Sequence, residues 1–501
     1  MAAHENSTFL EYREPNVIRI LTLISFFLFL ALAEWLADRF LRAPLVGQII
    51  VGLLYGLPLA NILVLDWQET FLALGYLGLI LIIFEGGLTI RLDLLRRNLV
   101  LSVAAALIGV LAPIALSFAL LYAGFGSAPL EAFIVGTALC STSLGTTFAI
   151  LSSASKAKTH PSETQADSDQ TLCAGPSRTG VDYSQTRVGT VLVSAALIDD
   201  VCGLVLISVI HNLRDVAGLE AAGTSSGHEA SSSPSLGWII GRPVLASALL
   251  ALLTPAVAMF AAGPAYRRFF EPRIRAARRW ARLANVLLMA VVLSAFLAIA
   301  AYAGASMLLG AFLAGAFLSS LPPQAPAEPQ PSGTDGDGAP GFADTFDHYL
   351  GAPQRFVFQP LFFASIGFAI PFGELWAGEV IWKGIVYTVL MALGKLMVGV
   401  VVPAWDLLAH RLLKHQQPHA LGWRPAALLG AAMVARGEIG LLVIQVGLNE
   451  TPFLSQKAFA IGVWAIVLNT ILGPVMVGAL LTRAGTDIAA DVRWGVQAKT
   501  G

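Results

Sequence analysis

Two consecutive aspartates, Asp199 and Asp200, stand in the middle of an apolar run, VLVSAALIDDVCGLVLISVI. Lys395 interrupts a second run (VLMALGKLMVGVVV), Arg436 and Glu438 a third (LLGAAMVARGEIGLLVIQVG), and Glu85 lies towards the end of a fourth (LILIIFEGGLTI). An ionisable side chain at the centre of a bilayer costs at least about 2.5–3.5 kcal/mol, so each of these is a functional candidate. Neighbouring residues on a helix point about 100° apart, so Asp199 and Asp200 cannot serve one partner in one direction. One carboxylate can pair with Lys395 while the other faces a water-filled cavity. A carboxylate so placed holds either a proton or a hard monovalent cation, and that competition is the minimal chemistry of cation/proton exchange. The two titrate as a coupled pair, so no single value belongs to either. The competing reading is an ion-paired contact that merely joins helices.

The elements that must position these groups follow from composition. Of 501 residues, 56% are hydrophobic and 13% charged, against about 25% charged in an ordinary soluble domain. Such a chain cannot clothe soluble domains in charge, and the bilayer is the expected solvent. A net charge of −1 argues against nucleic acid as a partner. Three cysteines, Cys140, Cys173 and Cys202, form neither a disulfide framework nor a metal-ligand spacing. With about 20 apolar residues per crossing, thirteen spans are expected. They lie at roughly 17–37, 44–60, 70–90, 99–123, 129–151, 188–212, 237–262, 284–303, 304–319, 356–376, 380–404, 425–449 and 457–482. The fold class is therefore an all-α polytopic membrane protein. The first span is too long for a signal-peptide core and is expected to be retained.

Basic residues orient the spans. Loops after odd-numbered spans hold 23 of the 31 Lys and Arg, and even-numbered loops with their span edges hold only Arg214, Arg242, Lys383 and Lys457. Basic loops stay in the cytoplasm, which places the N-terminal tail 1–16 outside or in a lumen and the tail 483–501 in the cytoplasm. The densest block, Arg267, Arg268, Arg273, Arg275, Arg278, Arg279 and Arg282, is a topology determinant and a candidate site for anionic lipid. Inserts at 152–187, 213–236 and 320–353 are rich in Ser, Pro, Gly and acidic residues, and disorder is expected there. The histidines lie in tails and loops except His211, at the end of span 6.

Spans 5 and 12 carry interruptions. Span 5 holds Gly136, Thr137, Ser141, Thr142, Ser143, Gly145, Thr146 and Thr147, and span 12 holds Gly430, Arg436, Gly437, Glu438 and Gly440. Small and hydroxyl-bearing residues can re-satisfy an unwound backbone that lines a cavity, although close helix packing also explains them. Span 5 is fifth in the set 1–6 and span 12 fifth in the set 8–13. An odd connector between the sets gives an inverted repeat with discontinuous helices at matching places. Arg436 and Glu438, two residues apart, point away from each other, and with Glu85 they are expected to form a stabilising or gating ion-pair network.

These residues, with the motifs PLVGQIIVGLLYG, LGLILIIFEGGLTIRLDLL, GTALCSTSLGTTFAIL, ALIDDVCGLVL, LGKLMVGVVVP and ARGEIGLLV, resemble the monovalent cation:proton antiporter superfamily, the sodium/hydrogen exchangers with a 13-helix fold. The resemblance covers about 17–482. It implies a moving core (99–212 and 356–482) with crossed broken helices, a dimerisation scaffold from the remaining helices, a homodimer, and elevator-type alternating access. It further implies that Asp200 is the ion-binding aspartate, with Asp199, Thr142 and Ser143 beside it, and that Lys395 pairs with Asp199. FEGG resembles the electroneutral branch, while the Asp pair and Lys395 resemble the electrogenic one. The resemblance does not extend to the nucleotide-binding domain of potassium-efflux relatives, so nucleotide gating is not expected.

The expected function is secondary antiport of Na⁺, with K⁺ or Li⁺ as alternatives, against H⁺ in a plasma or organellar membrane. No covalent catalysis and no cofactor are expected. A sodium-coupled organic-anion symporter of similar fold is the nearest alternative, and the two intramembrane aspartates argue against it. An intramembrane aspartyl protease needs carboxylates opposed across a cleft, whereas these are adjacent. An ion channel needs a filter, and no such segment is present.

Overall fold

A computed structural model describes residues 12, 14–90, 98–143, 183, 186–223, 236–270, 281–321, 341–412, 422–491 and 493–495. Side chains are not described at 214–223, 236–237, 239–240, 269–270 and 409–412. The described regular structure is helical. The first four helices are α1 (Val17–Leu41), α2 (Pro44–Tyr55), α3 (Leu65–Leu88) and α4 (Leu99–Gly124), and α5 (Pro129–Ala138) is short. Next come α6 (Arg187–Gly223), α7 (236–270), α8 (Ala281–Ala303), α9 (Met307–Ser319), α10 (342–368) and α11 (378–412). The last three are α12 (Trp423–Ala432), α13 (Glu438–Glu450) and α14 (Gln456–Ala490). Starts follow local chemistry: Pro44 and Pro129 occupy first turns, where their missing N–H costs nothing, and Asn16 and Ser455 accept N–H groups of α1 and α14.

Among the described residues, eight helices are long and apolar enough to cross a membrane. Where the other spans are expected, the described helices are shorter or interrupted: α2, α5, α9, α10 and the α12–α13 pair. Polar stretches differ from expectation in three places. Helix α6 runs on to Gly223 and helix returns at 342, so the inserts read as disordered from 213 and up to 353 are helical at their edges. NLRDVAGLEAAG is rich in good helix formers, which explains the first of these. The remainder of all three inserts falls mainly outside the described residues. The tail expected from 483 continues α14 to Ala490 and then packs back onto the protein.

Packing divides the helices into two matching sets. Helix α1 lies on α2 as α8 lies on α9; α9 packs on α3 as α2 packs on α10; α4 pairs with α6 as α11 pairs with α14. Two contacts show how tight the crossings are. A Cβ at Gly87 would stand 2.2 Å from the Phe312 carbonyl oxygen, and one at Gly315 2.2 Å from that of Phe84. At the matching crossing of α2 and α10, a Cβ at Gly52 would stand 2.1 Å from the Ala364 oxygen and one at Gly367 2.4 Å from that of Ile49. Backbones in lipid approach this closely only through small residues.

The residues after α14 close one end of the molecule. The carbonyls of Trp494 and Gly495 accept the N–H groups of Val188 and Arg187, the first donors of α6, which otherwise lack partners. Trp494 is buried; its Nε1 donates to Asp406 of α11 (3.2 Å to Oδ2), and the Arg187 guanidinium stands 5.0 Å from its ring. Arg493 Nη1 is 3.5 Å from the same Asp406.

Candidate ion site at the crossing of the interrupted helices

Helix α5 stops at Ala138, and after a turn at Leu139 and Cys140 the chain is extended through Ser141, Thr142 and Ser143. Residues 144–151, the rest of the expected span 5, lie outside the described residues. Helix α12 stops at Ala432, turns at Met433 and Val434, and is extended until α13 begins at Glu438. The two extended stretches meet: the Ser143 N–H donates to the Ala435 carbonyl at 3.0 Å. Hydroxyl-rich and glycine-containing sequence permits this because neighbouring groups replace the lost helical bonds. Gly437 is required for the approach, since a Cβ there would lie 2.8 Å from the Ser143 Cβ.

Lys395 of α11 reaches this crossing fully buried. Its ammonium has three donors and three acceptors: the Cys140 carbonyl, Thr142 Oγ1 at 2.9 Å, and Asp199 Oδ2. Thr142 Oγ1 in turn donates to the same Asp199 oxygen at 2.7 Å. Three expected site residues therefore form one closed triangle, with Asp199 as the aspartate that pairs with Lys395. Helix α4 covers it at Gly109, where a Cβ would lie 3.3 Å from Lys395 Nζ. Asp200, the next residue of α6, is 9% exposed, and its Oδ1 has no hydrogen-bond partner. Asp199 Oδ1 is likewise buried without a partner, so the two aspartates differ in that only Asp199 bonds a cationic side chain among the described residues.

Among the described residues no ion pair joins Arg436, Glu438 and Glu85, which were expected to form a network. Arg436 is fully buried; its Nη1 donates to the Ser141 carbonyl at 3.0 Å, and its own carbonyl accepts from Thr470 Oγ1 at 3.1 Å. It holds the backbone just past the end of broken α5 and bonds no carboxylate among the described residues. Glu85 Oε2 accepts from Gln354 Nε2 at 2.9 Å. It belongs to the packing of α3 against α9 and α10, which keeps it away from the crossing. Glu438 opens α13 and is partly exposed amid buried neighbours.

Several contributors had no signal in residue type. The Cys140 and Ser141 carbonyls hold the two cations through backbone atoms. Tyr387 and Ser117 share a buried hydrogen bond of 2.5 Å between α11 and α4. His211 Nδ1 and Glu450 Oε2, 2.6 Å apart, tie α6 to α13. Of the arginine block, Arg267, Arg268 and Arg282 are exposed, and the rest lies outside the described residues.

A multi-helix membrane protein with two interrupted segments meeting at a buried Lys–Asp pair is the architecture of an ion-coupled secondary transporter. The transmembrane sodium/hydrogen exchanger family matches residues 24–164 and 183–483, and the chain belongs to that family, within the monovalent cation:proton antiporter superfamily. It is 24% identical over 455 residues to the Na(+)/H(+)-K(+) antiporter GerN of Bacillus cereus, spanning 89% of this chain and 92% of that protein. It is 22% identical over 446 residues to a Na(+)/H(+) antiporter of Enterococcus hirae, spanning 88% and 92%. Its fold is similar to that of the sodium proton antiporter MjNhaP1 from Methanocaldococcus jannaschii, with a TM-score of 0.55, 16% identity, and 93% and 98% of the two chains covered.

Proposed function

We propose that the protein exchanges a monovalent cation, Na⁺ or K⁺, for H⁺, with Asp200 as the group for which cation and proton compete. The observation that carries this reading is the division of labour at the crossing: Asp199 is held by Lys395 and Thr142 through Oδ2, whereas the likewise buried Asp200 has no cationic side chain bonded to it among the described residues and an Oδ1 without a partner. Alternation follows if the core moves only when the site is neutralised, because an uncompensated buried charge is costly. The names of the two antiporter relatives support Na⁺ and H⁺ as substrates, and that of GerN adds K⁺.

Elevator-type movement of the core (99–212 and 356–482, that is α4–α6 with the part of α10 from 356 on and α11–α14) against the remaining helices, and a homodimer, rest on the family resemblance. An outside N-terminus rests on the distribution of basic residues. The Asp199–Lys395 pair supports an electrogenic ratio of two protons per cation, and a transport rate insensitive to membrane potential would count against that ratio. The founding test is proton flux in proteoliposomes on addition of Na⁺ or K⁺. Flux is expected in the wild type and is expected to vanish in Asp200→Asn; equal flux in both would remove Asp200 from the mechanism.

A further inference from the structure

Glu438 is left without the ion-pair partner that its sequence context suggested, and its surroundings point to a different use. Asp200 and Gly203 are three residues apart on α6 and so share a face. A Cβ at Gly203 would lie 3.3 Å from Ile439 Cγ2 and 3.5 Å from Ser141 Cβ, so this face looks onto the first residues of α13 and the end of broken α5. Glu438 immediately precedes Ile439. The charged groups around Asp200 are the acids Glu438 and Asp199 and the base Lys395. Lys395, however, already spends its three donors on Cys140, Thr142 and Asp199. The Asp200–Glu438 side of the crossing therefore has two carboxylates, a buried carboxylate oxygen without a hydrogen bond, and no basic side chain bonded to either acid among the described residues.

Two like charges so placed repel unless a cation or a proton lies between them. Hard cations prefer oxygen ligands, and the number of charged ligands sets how tightly they bind. The partly exposed Glu438 gives the buried Asp200 a neighbour that water reaches. As the first residue of the 13-residue α13, Glu438 is also favoured by the helix dipole, which offsets part of the repulsion when no cation is bound. We propose that Glu438 is a second carboxylate ligand of the transported cation, shared with Asp200, and sets its apparent affinity.

The inference rests on the antiport reading above, and its test separates the two. Glu438→Gln, Glu438→Asp, Asp200→Asn and wild type are reconstituted, and initial proton flux is measured against Na⁺ and K⁺ concentration at low and high choline chloride. Glu438→Gln is expected to raise the apparent KM for the cation roughly tenfold or more, with kcat changed less than about threefold, equally at both ionic strengths; Glu438→Asp is expected to recover part of the loss. An unchanged KM in Glu438→Gln overturns the proposal. So does an effect that disappears at high salt, which is the behaviour of long-range attraction rather than of a ligand. Wild-type flux in Asp200→Asn sinks the antiport site itself, whatever Glu438 does. If Glu438→Gln does not fold, Na⁺-dependent thermal stabilisation of Glu438→Asp against wild type decides: an unchanged Na⁺ requirement overturns the proposal and a raised one supports it.

Discussion

Lys395 is the most fully committed side chain at the crossing, with every donor spent on a buried acceptor. Removing one member of such a pair leaves the other charge stranded, at a cost of about 3–5 kcal/mol, whereas replacing both by apolar groups is often neutral. Lys395→Met is therefore expected to lower thermal stability in detergent markedly. Asp199→Leu combined with Lys395→Met should regain most of the loss, and a double variant no better than the single one would show that the pair is not the unit. The sequence made these residues conspicuous because charge is rare in apolar runs. Which aspartate meets Lys395 depended on where the Cys140 carbonyl and Thr142 hydroxyl fall, and backbone oxygens have no residue-type signature. The same blindness explains Arg436 and Glu85: both were expected in one ion-pair network, and nothing in either span ranks the distances between helices.

At the scale of the element, the broken helices were legible from small and hydroxyl residues placed in matching spans, and the structure describes the break in full on the α12–α13 side. The halves show no identity by which to align them, yet Gly87 with Gly315 and Gly52 with Gly367 are the same device used twice. A stripe of glycines in apolar helices does not reveal which of them touch another backbone. The FEGG motif tests this directly, because a Cβ at Gly87 meets a carbonyl at 2.2 Å while one at Gly86 meets nothing within 4 Å. Gly87→Ala is expected to cost at least the usual 1–3 kcal/mol of overpacking and Gly86→Ala to be close to neutral, read from unfolding temperatures. At the crossing, Gly437→Ala should push the two non-helical stretches apart at Ser143 and reduce cation-driven flux by tenfold or more, although it alters no polar side chain.

On the scale of the whole molecule, α1, α7 and α8 bury the least of their surface inside the protein, leaving residues such as Phe40, Phe260 and Val291 exposed for lipid or a second copy. The end that sequence reading left as a tail instead contributes Trp494 to the packed interior among α4, α6, α11, α12 and α14. A lone tryptophan in a polar stretch gives no period to read, so only the fold could show it. Trp494→Ala is expected to destabilise by about 3–5 kcal/mol, and truncation after Ala490 by no less, since the first N–H groups of α6 lose their acceptors; a truncated protein as heat-stable as the full chain would refute the clasp. The Asp199–Lys395 pair joins residues 196 positions apart. At about 5–20 residues per second of synthesis, the aspartate is made roughly 10 to 40 s before the lysine that neutralises it. A nascent chain must therefore keep α6 protonated, sheltered or outside the hydrocarbon until its second half has been made. The ion pair of the finished transporter is, during birth, an unpaid charge awaiting a helix that does not yet exist.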